Sequence, residues 1–212
     1  MMNGLGSDRA VPVKFAATQA GNEQRPRTMN ETHTLFNGRW LRLVRSGRWE
    51  YAQRTNPGGG VIIIAITPGD RILFVEQWRE AVHARTIEMP AGLVGDMHGH
   101  RAESALTAAL RELTEETGYR AGNAQMLVAG PSSAGMSDEI ITFVRARDLV
   151  REHDGGGDSS ENIVVHEIPR REAAQWLVEK MRAGYPVDPK LFAGLYFIDH
   201  HDELFGDTQP AA

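Results

Sequence analysis

The run VIIIAIT, residues 61 to 67, limits the possible folds more than any other stretch of this chain. Its β-branched residues would point to both faces of an extended strand, so both faces must be covered. A strand covered on both sides belongs in the middle of a sheet packed between other layers. A Pro-Gly-Gly-Gly break at 57–60 precedes it, and Pro68-Gly69-Asp70 leads on to a second such strand, RILFVEQWR. Upstream, THTLF, RWLRLVR and RWEYAQR are separated by Asn37-Gly38 and Ser46-Gly47, residue types that tight hairpin turns require. That spacing predicts a three-stranded antiparallel meander.

Downstream, a loop containing EMPAGLVGDMHGHRAE leads into a predicted helix from Ala105 to Thr117. Strands follow in AQMLVAG, IITFVRA and NIVVHEI, separated by the loops PSSAGMSDE and DGGGDSSE. Two helices are expected near 170–182 and 189–200. Strands and helices mix without strict alternation, which predicts an α+β fold around a mixed sheet. Residues 1–28 lack any period and read as a disordered tail, 29–58 as the meander, 59–200 as the main domain and 201–212 as a C-terminal tail.

Composition narrows the function classes. A formal charge of -5 over 212 residues, with no long basic run, gives no electrostatic reason to expect nucleic acid or a membrane surface as partner. The chain has no cysteine, which removes disulfides, thiolate catalysis and cysteine-ligated zinc. No apolar run reaches the roughly 20 residues of a membrane span, so a cytoplasmic location is the expectation.

The helix at 105–117 carries the chemistry. Ser104 suits its N-cap and Gly118 its left-handed end. With Glu112 at zero, Glu116 lies at about 40° and Glu115 at about 300° around the axis, so three carboxylates border the apolar face of Leu106, Ala109, Leu110 and Leu113. Like charges at these offsets, at the negative end of the helix dipole, destabilise a helix. A hard divalent cation with oxygen ligands removes that objection. Arg111, one turn before Glu115, is placed to orient it. The small-residue turn Pro90-Ala91-Gly92 would let a backbone carbonyl approach the same cation.

The spacing Glu103, seven residues, Arg111-Glu112-Leu113, one residue, Glu115-Glu116, one residue, Gly118-Tyr119 resembles the signature of the Nudix hydrolases, with Gly92 as its opening glycine. One departure is a stretch of ten residues between Gly92 and Glu103, where the family usually has five; it reads as a lengthened loop bearing His98 and His100. The resemblance runs from about Thr32 to Phe197 and looks nearest to the branch acting on ADP-ribose and nucleoside-diphosphate sugars. It implies an α/β/α sandwich with a mixed sheet, plus a small N-terminal sheet through which such enzymes form a homodimer. It further implies hydrolysis of a pyrophosphate bond with Mg²⁺ or Mn²⁺. Carried over position by position, it makes Glu112, Glu116 and the Ala91 carbonyl the principal ligands. Glu115 would be an auxiliary ligand or act through bound water. Arg79 and Arg54 become candidate substrate contacts, and Trp49 and Tyr51 a candidate base platform. The general base is expected outside the signature, at Glu139 or Glu161. Ser159-Ser160, where related enzymes carry a denser acidic run, tilts the choice toward Glu139. A Nudix-fold protein that binds a nucleotide and regulates without hydrolysis is the alternative; all the signature acids, Glu103, Glu112, Glu115 and Glu116, are nevertheless present.

Overall fold

A computed structural model describes residues 31–56, 58–95, 103–157 and 161–206. The predicted tail at 1–28, His98, His100 and Ser159-Ser160 lie outside the described residues. The meander comprises β1 (Thr32–Asn37), β2 (Leu41–Ser46) and β3 (Trp49–Arg54), paired antiparallel in that order. Gly47, at φ 59°, makes the left-handed turn between β2 and β3.

The main unit holds two further sheets. One consists of β4 (Gly60–Ala65), β7 (Ala91–Leu93), β8 (Tyr119–Pro131) and β9 (Ile140–Arg151) in the order β7-β4-β9-β8. It is mixed, since β4 pairs parallel with β9 and antiparallel with β7. The other consists of β5 (Arg71–Arg79), β6 (Ala84–Glu88) and β10 (Val164–Pro169), all antiparallel, with β5 in the middle. The helices are α1 (Ala105–Thr117), α2 (Ala173–Arg182), α3 (Lys190–Asp199) and the short α4 (His201–Phe205).

Strand β4 behaves as its composition demands. Val61, Ile63 and Ala65 join Leu113, Ala109 and Ala108 of α1 in one core cluster. Ile62 and Ile64 join Leu177 of α2 and Leu191 and Leu195 of α3 in another. Alternate side chains of one strand thus feed two apolar layers, and each fully buried aliphatic contributes about 1.5–3 kcal/mol of transfer free energy. The result is the expected α/β/α sandwich, with the small antiparallel sheet beside it.

Three local features differ from the sequence expectation. Residues 91–93 form strand β7 against β4 instead of ending in a turn. The strand β6, five residues long, lies between RILFVEQWR and EMPAG, where no strand was expected; its Thr86 and Ile87 are buried, but five residues are too few for a period to show. Strands β8 and β9 outrun their apolar centres, pairing from Tyr119 opposite Arg151 to Pro131 opposite Ile140, because the ladder continues through polar residues once its middle is anchored.

Candidate active site

Helix α1 is held at both ends. The Ser104 hydroxyl accepts the Thr107 N–H at 3.1 Å. At the other end Gly118, at φ 74°, donates its N–H to the Thr114 carbonyl at 2.9 Å. A Cβ at Gly118 would stand 2.1 Å from the His153 carbonyl oxygen, so the backbone of the next loop occupies that space. That loop supplies donors to carbonyls an α-helix leaves unpaired: Gly156 N–H to Glu116 at 2.8 Å and Gly157 N–H to Glu115 at 3.1 Å. The glycine-rich segment is thereby fastened to the carboxylate-bearing turn. A Cβ on Gly157 would lie 2.2 Å from a Glu161 carboxylate oxygen, so Glu161 packs against this same loop.

A second loop, between β8 and β9, is fastened to the meander. Ala52 of β3 donates its N–H to the Met136 carbonyl at 2.8 Å, and its own carbonyl accepts the Asp138 N–H at 3.4 Å. Gln53 donates to Asp138, and Arg54 forms an ion pair with Glu139.

Between these loops lies a cleft of about 420 Å³. Of the residues singled out from the sequence, Arg54, Arg79, Ala91, Glu112, Glu116, Glu139 and Glu161 line it. Glu115 stands beside it, 3.0 Å from Arg111. Trp49 and Tyr51 do not line it; Trp49 is exposed on the meander and Tyr51 partly so. Gln77, Glu88, Asp188 and Lys190 line it without having been foreseen. Asp188 and Lys190 had one local signal, an Asp-Pro pair before an apolar helix: Asp188 accepts the Lys190 N–H at 2.9 Å. Gln77 and Glu88 had none, since their placement depends on the pairing of β5 with β6.

Arg111 organises the acids. Its guanidinium reaches Glu103 at 3.2 Å, Glu112 at 2.9 Å, Glu115 at 3.0 Å and the Leu93 carbonyl at 3.2 Å. Glu116 is 4 % exposed and accepts the Ala91 N–H at 3.1 Å. Burial, and after it the charges of Glu112 and Glu161, outweigh that hydrogen bond and push the Glu116 carboxyl up to about 8. Arg79 forms a bidentate pair with Glu88 at 2.8 and 2.6 Å. That bond, opposed by burial, raises the Arg79 pKa, and the charges of Glu88, Glu116 and Glu161 add to it.

Among the described residues no three carboxylate or imidazole groups converge closely enough to hold a metal ion as they stand. The chemistry of the donor set nevertheless fits a hard cation. Glu112 and Glu116 are buried carboxylates lining one cleft; burial, and after it the charge of Glu112, favours protonation of Glu116, the condition a cation relieves.

Fold and site together define a Nudix hydrolase architecture, and the NUDIX domain model matches residues 56–186; the chain belongs to this family. It is 34% identical over 152 residues to the ADP-ribose pyrophosphatase of Bacillus subtilis (strain 168), covering 68% of this chain and 79% of the relative. It is 40% identical over 130 residues to the ADP-ribose pyrophosphatase of Mycobacterium tuberculosis (strain ATCC 25618 / H37Rv), covering 56% and 58%. The methanol dehydrogenase activator of Bacillus methanolicus is 32% identical over 157 residues, covering 71% and 82%. The crystal structure of an ADP compounds hydrolase superposes with a TM-score of 0.61 at 18% identity, covering 83% of this chain and 94% of that one, which supports the fold. The chain is thus similar to the ADP-ribose pyrophosphatase branch. No helix among the described residues is long and apolar enough to cross a membrane.

Proposed function

We propose that this protein hydrolyses the pyrophosphate bond of ADP-ribose or a related nucleoside-diphosphate sugar, releasing a nucleoside monophosphate and a sugar phosphate. The observation that carries this reading is the composition of one cleft: buried Glu112 and Glu116 from α1 stand with Arg54, Arg79 and Lys190 and with two loop carboxylates. A pyrophosphate bridge is doubly anionic, so water attacks it only where charge is neutralised and a base removes a proton.

Glu112, Glu116 and the Ala91 carbonyl would hold a divalent cation, Mg²⁺ or Mn²⁺, with Glu115 as an auxiliary group. The cation would neutralise phosphoryl charge and lower the pKa of bound water. Arg111 orients Glu112 and Glu115 from behind. Arg79, held rigid by Glu88, presents the rest of its fork to a phosphate oxygen. Of the two candidate bases we favour Glu161, whose charge acts on both Glu116 and Arg79 inside the cleft; Glu139 pairs with Arg54 of the N-terminal sheet, which suits a role in holding that arginine. Glu161 would take a proton from water as the water oxygen bonds to one bridge phosphorus; the bond from that phosphorus to the bridging oxygen breaks, and the bridging oxygen leaves on the other phosphate.

Trp49 and Tyr51 lie outside the cleft of their own chain, and the meander carrying them exposes Phe36, Trp40, Leu41 and Leu43. This supports a homodimer through the N-terminal sheet, in which these aromatics serve the partner's cleft. The relative named as an activator of methanol dehydrogenase favours a second reading, a protein acting on another enzyme. One experiment separates the two: incubation with Mg²⁺ and a panel of ADP-ribose, nucleoside-diphosphate sugars, dinucleotides and nucleoside triphosphates, with products identified by mass. Nucleoside monophosphate plus sugar phosphate, lost in Glu116→Gln, is the expected result. No turnover of any member, with binding intact, favours the regulator.

A further inference from the structure

At the far end of β4 and β9 from the cleft lies a second pocket, of about 280 Å³. The cleft takes its wall from Gly60, Val61 and Ile62, whereas this pocket takes its own from Ile66, Thr67 and Pro68. The two are thus separated by about 13 Å along β4. Three arginines converge here: Arg145 and Arg147 from β9 and Arg170 from the turn after β10, alongside Asp70 and Asp148.

Their pairing is uneven. Arg170 is ion-paired with Asp70 and Asp199, each at 2.8 Å. Arg145 and Arg147 form no ion pair among the described residues, and the Arg145 Nε is buried with no hydrogen-bond partner. At offset two on one strand their side chains leave the same face, so two like charges stand together. Burial holds the Arg145 pKa below its ordinary value; Arg147 and Arg170 push it the same way, and Asp202 opposes them. A buried guanidinium donor without an acceptor is costly, and neighbouring cations add to the cost. Folding stability does not select two neighbouring arginines without ion pairs; an anion in the pocket they line would offset their repulsion from the outer guanidinium nitrogens, the Nε itself being shielded from solvent.

We propose that this pocket binds a small phosphate-bearing anion, held between the guanidinium groups of Arg145 and Arg147. Two forks suit a tetrahedral dianion better than a single flat carboxylate. The volume lies just below the usual range for ligand pockets, which admits phosphate or a small phosphate monoester but not a nucleotide. The inference is independent of the hydrolysis assigned to the cleft.

The test follows the Arg145 Nε–Hε resonance in ¹⁵N-labelled protein while inorganic phosphate, or in a parallel series ribose 5-phosphate, is added at constant ionic strength. A saturable shift is expected, with affinity falling about tenfold or more in Arg147→Gln, the loss of one charged hydrogen bond. Arg79→Ala, which alters only the cleft, should leave it unchanged. The tighter of the two probes tells free phosphate from a monoester. Absence of saturation, an equal shift with sodium chloride, or an affinity indifferent to Arg147→Gln overturns the proposal. Arg145→Lys, which keeps the charge but loses the fork, should fold and still bind more weakly than the parent protein.

Discussion

Arg54 of the N-terminal sheet forms an ion pair with Glu139 of the loop between β8 and β9, joining two segments that are 85 residues apart in the chain. If Glu139 serves chiefly to hold Arg54, and Glu161 is the base, their amide variants should behave differently. Glu161→Gln should lower kcat by roughly 10² to 10⁴ with KM little changed. Glu139→Gln should act mainly on KM, through the freed Arg54. Steady-state kinetics on both variants check this, and the reverse pattern would return Glu139 to the role of base.

Arg79 grips Glu88 with two hydrogen bonds and faces the cleft. Lysine keeps the charge but cannot make the paired contact. Arg79→Lys should therefore raise KM for a pyrophosphate substrate by roughly tenfold, about one charged hydrogen bond, while the melting temperature moves little. An unchanged KM would remove Arg79 from substrate binding.

Gly118 sits at φ 74° with a carbonyl oxygen 2.1 Å from where a Cβ would be. Gly118→Ala incurs the left-handed penalty of about 1–2 kcal/mol and also displaces the 152–157 backbone. Thermal unfolding should shift down by several degrees. Activity should fall with it, because that same backbone positions Glu161. A variant with full stability and turnover would show that the loop can shift freely.

Glu76 should contribute to the acid limit of stability. It is 8 % exposed and contacts Arg85 at 2.7 Å, His166 at 3.1 Å and Lys180 at 3.5 Å. Burial opposes its ionisation, but hydrogen bonds from Arg85 and His166 and the charges of Lys180 and Arg85 hold its pKa below the usual 4.5. A carboxylate depressed on folding contributes stability above its unfolded pKa and loses it as pH falls through the folded value. The protein should lose stability below about pH 4.5. Glu76→Gln should flatten that acid limb and lower stability at pH 7 by about 1–3 kcal/mol. Denaturant midpoints across pH 3 to 8 measure both effects.

Phe36 and Leu43 are register partners across β1 and β2, and both are exposed. If that face is the dimer contact, Phe36→Asp with Leu43→Asp should halve the molar mass measured by light scattering. A parent protein that is already monomeric would end the proposal.

Much of this was legible in the residues. Ser104 and Gly118 bracket α1 at the positions where it begins and ends, because capping is local chemistry. The apolar run at 61–67 announced a strand between two layers, since alternation and burial are written along one segment. What stayed hidden depends on pairing between distant segments. No local feature of Gln77 or Glu88 shows that β5 and β6 aim them into the cleft. Trp49 and Tyr51 alternate correctly on their strand, yet alternation names a face and not the molecule that face meets.

Strand β3 lends its main chain to Met136 and Asp138 and its side chains to Asp138 and Glu139. The meander is therefore a brace for one wall of the cleft as well as an appendage to the sandwich. A force or a binding partner that displaced β3 would tilt the loop carrying Glu139, so the geometry of the cleft is answerable to whatever docks on the N-terminal sheet.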